Sequence, residues 1–409
     1  MTDESMTDIL VVGGGFAGVW AAASAARLRQ KNSGQFSIAL ACPGRDLVMR
    51  PRLYEAEPQN MAVPLARILK PIDVNKIDAS VIEIDQKAKA ITLASVEGKK
   101  TQIVYRKLVL ASGSQIQRPG FAGAGYLHDV DTMEGAIALD RHIHQLPRGV
   151  GRFTAVVVGA GFTGLEIATE LVERLRAIAA RLDASSEVRV VLVDVAPVVG
   201  PELGSGPRPT ILAALNELNV ELKLDAKVAA VSADSVEFDD GARIPTQTVV
   251  WTAGIFASPL TQFIEAERDK IGRIFVDDYL KIPTDPSIYV AGDTAAARAE
   301  EGHYVLPSCQ HAIPMGKYAG YNAAAGLLGL DPVEFKTSPY ATCLDLGGAG
   351  AVLTNGWERV VEKTGEAAKA HKRRTNQQRI YPPLDDAADI LRAADFNITT
   401  RQPQPAAER

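Results

Sequence analysis

The residues of this sequence that could bind a charged ligand are glycines spaced as G-x-G-x-x-G. Gly13, Gly15 and Gly18 follow a short apolar run at residues 9–12 and open an alanine-rich stretch. At this spacing the first glycine permits a tight turn, the second lets the backbone approach a pyrophosphate, and the third lets a helix pack closely on a strand. The N-terminus of such a helix attracts phosphate groups. This first fingerprint therefore predicts a strand, turn and helix that bind a dinucleotide.

A second fingerprint repeats the pattern at Gly159, Gly161 and Gly164, after an apolar run at residues 155–158. Each such unit builds one nucleotide site, so the repetition predicts two sites.

An acidic residue ends the strand expected at residues 188–193 of the second unit. Asp194 occupies the position that accepts a ribose 2′-hydroxyl, and no arginine follows it at residues 195–197. A carboxylate there repels an extra phosphate, so NADH is favoured over NADPH. Glu166 lies near the start of the predicted helix, where it either complements the helix dipole or contacts the nicotinamide end.

The first unit lacks the acidic residue. Cys42 occupies its place at the end of the second strand. We expect this cysteine to be a small packed residue beside the ribose, which the backbone or water would then hold.

Composition excludes several classes of function. The 409 residues suit two or three domains, and 44 basic against 49 acidic side chains give a net charge of −5. Nucleic acid binding is not favoured by this balance. The 3 cysteines are too few for a disulfide scaffold, so a reducing cytoplasm is expected. The 6 histidines lack metal-binding spacing, and no metal is predicted.

The uncharged run at residues 9–26 is long enough to span a membrane. It contains the first fingerprint, so we interpret it as a buried strand and helix. Asp3, Glu4 and Asp8 stand where a signal peptide carries positive charge, and we expect the mature chain to start near Met1.

Weaker patterns predict further elements. Residues 239–241 predict a hairpin turn, residues 315–328 a helix, and residues 366–378 a charged helix. From residue 400 the chain is expected to be disordered. The basic side chains of the charged helix are expected to form a solvated face: Lys369, Lys372 and Arg373.

Three more segments occur in an order known from one superfamily. Residues 110–114 and 252–254 are similar to its two strand ends near the nucleotides, and residues 289–293 to its second FAD motif. The chain thus resembles the pyridine nucleotide-disulfide oxidoreductase superfamily. The resemblance implies an α/β fold with two Rossmann-type domains, FAD in the first and NADH in the second. The implied boundaries are 1–120 with 270–325 for the FAD domain, 121–269 for the NADH domain and 326–409 for a small C-terminal domain.

Two segments resemble type II NADH dehydrogenases in particular. Residues 50–55 resemble their segment along the flavin, and residues 307–312 occupy the place of their segment that lines the quinone site. Those enzymes end in an amphipathic membrane helix, whereas residues 384–409 carry acids throughout. The expected location is cytoplasmic, with at most peripheral contact at the inner face of a membrane.

Disulfide chemistry is not supported. Residues 341–344 resemble the segment of sulfide:quinone oxidoreductases that carries one redox cysteine, but the second fingerprint holds no partner cysteine. The C-x4-C pair of glutathione reductase relatives is also missing near residue 42. Cys309 and Cys343 therefore either relay electrons or form part of an apolar wall.

The resemblance implies a set of site residues. The expected FAD contacts are Gly13, Gly14, Gly15, Phe16, Ala17, Gly18, Cys42, Arg50, Arg52, Val81, Ala111, Gly113, Gly292, Asp293, Gln310 and Ala312. The expected NADH contacts are Gly159, Gly161, Phe162, Gly164, Glu166, Asp194 and Gly254. The catalytic candidates are Glu166, Gln310, Cys309 and Cys343. Gln310 is either a hydrogen-bond donor to the flavin edge or a cap at a helix entry.

In the implied reaction NADH gives a hydride to FAD, and the acceptor is expected to be a quinone. Positioning supplies most of the catalysis, so no protein acid or base is obligatory. Two alternatives stay open: a soluble NADH reductase for a ferredoxin or rubredoxin, and a flavin-bound NADH sensor that acts as an interaction protein. The oligomeric state is also open, with a homodimer among the options.

Overall fold

The computed structural model describes residues 5–182, 184, 187–300 and 302–398. Met1 and the segment from residue 400, for which the sequence predicts the mature start and disorder, lie outside these residues. The α-helices are α1 Phe16–Lys31, α2 Ala66–Leu69, α3 Met133–His144, α4 Phe162–Ala180, α5 Arg208–Glu217, α6 Cys309–Leu328, α7 Gly365–Arg374 and α8 Ala387–Ala393. The strands are β1 Ser5–Val12, β2 Ile38–Cys42, β3 Asp46–Val48, β4 Ala62–Pro64, β5 Asn75–Asp78, β6 Ser80–Asp85, β7 Ala90–Ala94, β8 Lys100–Leu110, β9 Ser114–Ile116, β10 Leu127–His128, β11 Thr154–Val158, β12 Arg189–Val193, β13 Val220–Lys223, β14 Val228–Val231, β15 Ser235–Phe238, β16 Arg243–Pro245, β17 Thr248–Trp251, β18 Ile255–Ala257, β19 Ile274–Phe275, β20 Lys281–Ile282, β21 Asp285–Val290, β22 Ala295–Ala296, β23 Arg298–Glu300, β24 His303–Tyr304, β25 Ala341–Asp345, β26 Ala351–Asn355 and β27 Val360–Thr364.

The first large sheet contains the strand of the first fingerprint. Its order is β20-β21-β8-β1-β2-β5, and β7 pairs with β8 and with β6. Strand β1 pairs in parallel with β2 and β8, and β21 pairs in parallel with β8. These strands are apolar and buried because helices and further strands cover both faces. Their carboxyl ends lie along one edge of the sheet.

The second large sheet contains the strand of the second fingerprint. Its order is β10-β17-β11-β12-β13, and every neighbouring pair is parallel. Helix α4 begins at Phe162 directly after Gly161, as α1 begins at Phe16 directly after Gly15. The predicted α/β fold with two strand, turn and helix units is therefore confirmed.

Smaller antiparallel sheets complete the chain. Strands β14, β15 and β16 form one of them, and the turn between β15 and β16 confirms the hairpin predicted at residues 239–241. Strands β25, β26 and β27 form another, beside α7. The domain boundaries implied by the sequence remain predictions.

Part of the acidic C-terminal segment is packed on the first unit. Helix α8 buries Ile390 and Leu391, and Asp395 beyond it forms an ion pair with Arg27 of α1. Within the described ranges, no helix combines the length and the apolarity needed to cross a membrane.

Helix α6 begins at Cys309, before the predicted start at residue 315. Ser308 caps the helix, because its side chain accepts a hydrogen bond from the backbone N–H of His311. The earlier start places Gln310 in the first turn, beside the first nucleotide unit.

Helices α1 and α6 pack through small residues. A Cβ atom added at Gly316 would lie 2.2 Å from the carbonyl oxygen of Ala17, and one added at Gly320 would lie 2.0 Å from that of Ala21. Neither separation is possible for a real side chain, so the two backbones approach each other only because both positions are glycine. This contact fixes the N-terminus of α6 relative to the first fingerprint.

Gly320→Ala is expected to lower the free energy of unfolding by about 1–3 kcal/mol, because the added methyl group overpacks the contact with α1. Gly326→Ala in the same helix is a matched control, since Gly326 is exposed and its new Cβ would meet only the flexible end of Lys107 and the Tyr289 hydroxyl. That control should change stability by less than about 1 kcal/mol. Urea denaturation of both variants decides the matter, and equal stabilities would contradict this account of the helix contact.

Candidate active site

One cavity of about 1560 Å³ is lined by residues of both fingerprints. Its wall includes Gly13 and Gly15 from the first and Gly159 and Gly161 from the second. The predicted site residues on the wall are Gly13, Gly14, Gly15, Phe16, Ala17, Cys42, Arg50, Val81, Ala111, Gly113, Gly159, Gly161, Phe162, Gly164, Glu166, Asp194, Gly254, Gly292, Asp293, Cys309, Gln310, Ala312 and Cys343. The structure thus brings together nearly the whole set that the sequence predicts.

Gly18 and Arg52 are not part of this wall. A Cβ atom at Gly18 would lie 1.9 Å from the carbonyl oxygen of Gly13, so Gly18 permits close packing of helix and turn. The guanidinium of Arg52 is bound to the Glu55 carboxylate at 2.6 Å and to the Tyr381 hydroxyl at 2.8 Å. Because Arg52 does not line the cavity, its position does not support the contact with FAD that the sequence predicts.

The first fingerprint leaves room for a pyrophosphate. Gly13 has φ +116°, a conformation that favours glycine, and a Cβ atom at Gly15 would meet nothing within 4 Å. The Ser112 hydroxyl on the same wall is buried without a hydrogen-bond partner among the described residues. Cys42 is buried, and its sulfur would lie 2.5 Å from a Cβ atom at Gly14, so it is a packed wall residue as predicted.

Asp293 belongs to a polar network at the edge of the first sheet. Its Oδ2 accepts a hydrogen bond from the Ser114 hydroxyl at 2.7 Å and one from Arg50 at 3.4 Å. Arg50 also forms an ion pair with Asp131. Gly292 has φ +72°, which turns the chain after β21 so that Asp293 reaches the cavity. The network holds the Asp293 carboxylate where a hydroxyl or amide of a ligand could reach it.

The first turn of α6 supplies an unpaired donor. The amide nitrogen Nε2 of Gln310 is buried on the cavity wall and has no hydrogen-bond partner within the part of the chain that the structure describes. A buried amide without a partner is costly, so the site is suited to an acceptor atom from a bound ligand. The open space at Gly15 and the unpaired Ser112 and Gln310 atoms fit the FAD that the sequence predicts.

Two buried ionic side chains, Glu166 and Lys372, line the same cavity. Lys372 of α7 pairs with Glu166 of α4 at 2.8 Å, and both residues are buried. The backbone N–H of Asp345 donates a second hydrogen bond to Glu166 at 3.1 Å. Lys369 pairs with the Asp345 carboxylate. The prediction of a solvated face on this helix is therefore wrong for Lys369 and Lys372.

The prediction fails because of tertiary packing. Helix α7 packs on β25 and β26, which turns one side of a highly charged helix inward against α4. Arg373, on the other side, is exposed as predicted and pairs with Glu366 at 2.7 Å.

Burial sets the protonation of this pair. It raises the pKa of Glu166 to about 7, although the nearby ammonium of Lys372 acts in the opposite direction. For Lys372, burial disfavours the ammonium, but the attraction of Glu166 outweighs it and the pKa is raised above its usual value. The structure thus places a carboxyl group that titrates near neutral pH beside a fixed positive charge.

Cys309 and Cys343 are free thiols on the cavity wall. Burial raises the pKa of each to about 11, so both are protonated at neutral pH. A thiol of this kind is a poor nucleophile and a poor redox group, because the thiolate is the reactive form.

Asp194 ends β12 as predicted. Its two oxygens accept hydrogen bonds from the backbone N–H groups of Ala160 at 2.6 Å and Ala196 at 2.8 Å. It lines the large cavity and also a second one of about 680 Å³, whose wall includes Phe121 and Trp251. The second cavity has the size and the aromatic surfaces that suit a base and its ribose.

Comparisons with known proteins agree with this arrangement. The family described as pyridine nucleotide-disulphide oxidoreductase matches residues 7–316. An NADH dehydrogenase-like protein of Mycobacterium tuberculosis is 42% identical over 98% of this chain and 100% of its own length. A type II NADH:quinone oxidoreductase of the same species is 28% identical over 81% of this chain and 75% of its own length.

A solved structure shares the fold. NDH2 from Plasmodium falciparum superposes with a TM-score of 0.77 at 12% sequence identity, covering 92% of this chain and 95% of that one. FAD and NADH, which the sequence predicts, are the cofactors of the matched family. The protein belongs to the pyridine nucleotide-disulphide oxidoreductase family and is an oxidoreductase of the NADH dehydrogenase type.

Proposed function

We propose that the protein oxidises NADH and passes the electrons through FAD to a quinone. The observation that carries this proposal is the single cavity lined by both fingerprints and by the buried pair of Glu166 and Lys372. When bound, FAD accepts a hydride from NADH and passes two electrons onward.

We assign the two ends of the cavity to different cofactors. The first fingerprint, Gly292, Asp293 and Gln310 bind FAD, and the second fingerprint with Asp194 and Gly254 binds NADH. The main contribution of these residues to catalysis is to hold two large ligands in one orientation, because a positioned reaction avoids most of the entropy loss of a bimolecular one.

Proton balance supports a quinone over a ferredoxin as the acceptor. NADH supplies a hydride, which is two electrons and one proton, so conversion of a quinone to a quinol needs one further proton. Glu166 has a pKa near 7 and lies on the wall, which suits a proton donor at neutral pH. Lys372 beside it is a fixed positive charge that favours the developing negative charge on a quinone oxygen. A ferredoxin takes up electrons alone and has no use for such a group.

The surrounding wall suits an apolar ring. Leu353 and Ile380 line the cavity together with Cys343 and Cys309. We assign both cysteines to this apolar wall rather than to electron transfer, because their high pKa values keep them as thiols. The name of the type II NADH:quinone oxidoreductase relative supports a quinone as the acceptor.

A quinone that resides in a lipid bilayer would have to be reached from the membrane surface. We therefore propose peripheral membrane contact. The homodimer stays a prediction.

A quinone is expected to oxidise the NADH-reduced protein faster than a ferredoxin or oxygen does, by at least about tenfold, the effect of 1.4 kcal/mol in transition-state binding. Stopped-flow mixing of the reduced protein with each acceptor measures this. Lys372→Met should slow the quinone reaction by about tenfold or more, whereas Arg373→Met on the exposed side of α7 should leave it within about twofold. A ferredoxin that reacts fastest would refute the quinone assignment.

The rate of quinone reduction is expected to fall as pH rises through about 7, because Glu166 then loses the proton that it would donate. Glu166→Gln should remove this pH dependence and slow the step by about tenfold or more. Glu170→Gln is a matched control: Glu170 lies on the same helix, and burial also raises its pKa to about 7, but it is not part of the cavity wall. Identical pH profiles for both variants would rule out Glu166 as the donor.

Asp194 is expected to make kcat/KM for NADH exceed that for NADPH by at least about tenfold, since its carboxylate repels the 2′-phosphate. Asp194→Asn should reduce this preference. Asp225→Asn serves as the control, because Asp225 is exposed and lies outside both cavities. Equal use of NADH and NADPH by the unmodified protein would contradict the assignment of Asp194.

A further inference from the structure

The two fingerprints differ at their central glycine. A Cβ atom at Gly15 would meet nothing within 4 Å, whereas one at Gly161 would lie 2.7 Å from the Glu202 carboxylate oxygen Oε1. The same oxygen accepts a hydrogen bond from the backbone N–H of Phe162 at 3.0 Å, at the start of α4. A helix N-terminus attracts anions. The space beside Gly15 is open to a pyrophosphate. In the second unit, the Glu202 carboxylate occupies the equivalent space beside Gly161.

A buried cation contacts the backbone of the residue that carries this carboxylate. Arg359 is 6% exposed, lines the cavity, and lies with its guanidinium carbon 4.5 Å from the centre of the Tyr340 ring. Its Nη2 donates to the backbone carbonyl oxygen of Glu202 at 3.4 Å. Its Nη1 is buried without a hydrogen-bond partner among the described residues.

The unpaired nitrogen indicates a ligand of opposite charge. An arginine side chain stays protonated in proteins, and burying part of it without a partner is costly. Glu202 accepts a hydrogen bond from Arg359 through its backbone carbonyl oxygen and one from the first turn of α4 through its carboxylate. The cation and the helix N-terminus thus contact the same residue. An anion with two adjacent charged groups can contact both.

We propose that Arg359 and the first turn of α4 together bind the pyrophosphate of NADH, and that the Glu202 carboxylate holds this place in the free protein and moves away when NADH binds. This inference rests on the NADH site proposed above and adds its anion-binding residues. The C-terminal hairpin between β26 and β27, which carries Arg359, thereby takes part in nucleotide recognition. The exchange replaces one anion by another at the start of α4, and the pyrophosphate also gives Arg359 Nη1 the partner that it lacks among the described residues of the free protein.

The test compares two ligands on the FAD-loaded protein. ADP-ribose contains the pyrophosphate, and adenosine lacks it. Titration calorimetry is expected to show that Arg359→Met weakens ADP-ribose binding by about tenfold or more, with adenosine binding changed by less than about twofold. Arg359→Lys should recover part of the loss, because it restores the charge but not the planar fork.

Glu202→Gln is expected to change the affinity for ADP-ribose in the direction opposite to that of Arg359→Met. Removing the competing carboxylate should tighten ADP-ribose binding by about threefold to tenfold, the range expected for one charge at a helix N-terminus. Arg243→Met is the control for a general loss of positive charge, since Arg243 is exposed and pairs with Glu237. It should leave the affinities for both ligands unchanged.

Two results would overturn the proposal. Equal weakening of ADP-ribose and adenosine by Arg359→Met would mean that Arg359 only supports the loop at residues 201–204. Weaker ADP-ribose binding by Glu202→Gln would mean that the carboxylate is part of the nucleotide site and not its substitute. Failure of the quinone assignment would leave these affinities unaffected, whereas an unmodified protein that binds no ADP-ribose would refute both this inference and the NADH site.

Discussion

The carboxyl ends of the parallel strands of two sheets open into one cavity, and the remaining structure depends on this constraint. Parallel strands end at the same edge, so the residues that follow β1, β8 and β21 meet in the first sheet, and those that follow β11, β12 and β17 meet in the second. In such sheets ligands bind beyond the carboxyl ends of the strands. Two nucleotides that bind at these edges can bring their reactive ends together in the one cavity.

The C-terminal region completes this cavity and adds both apolar and charged side chains to its wall. It adds Tyr340, Cys343 of β25 and Lys372 of α7 to a wall that the two sheets leave open. Burial then acts on Glu166, raising its pKa, while Lys372 keeps its charge through the same contact. In the function that we propose, the dinucleotide units bind the cofactors, and the C-terminal region contributes to what else the cavity can accept.

The sequence predicts the parts of this arrangement that depend on short spacing. Gly13, Gly15 and Gly18 determine a turn through their own conformations, and Asp194 follows directly from the end of its strand. The resemblance to a known superfamily extended the prediction to distant segments such as Asp293, which the structure brings to the same cavity.

The sequence did not predict the contacts between residues that are far apart along the chain. Lys372 belongs to a polar helix whose composition is typical of a solvated surface, and only its packing against α4 buries it. Glu202 and Arg359 lie 157 residues apart in the sequence, and neither belongs to a recognisable motif. Their importance comes from a hydrogen bond that only the folded chain forms.

The central claim is that NADH and FAD meet in one cavity and exchange a hydride there. An anaerobic titration of the FAD-loaded protein with NADH, followed by the visible absorbance of the flavin, tests it most directly. The account predicts that the flavin band bleaches in proportion to added NADH, with about one NADH consumed for each FAD, because one hydride carries the two electrons that FAD accepts. A flavin band that persists in the presence of excess bound NADH would contradict it.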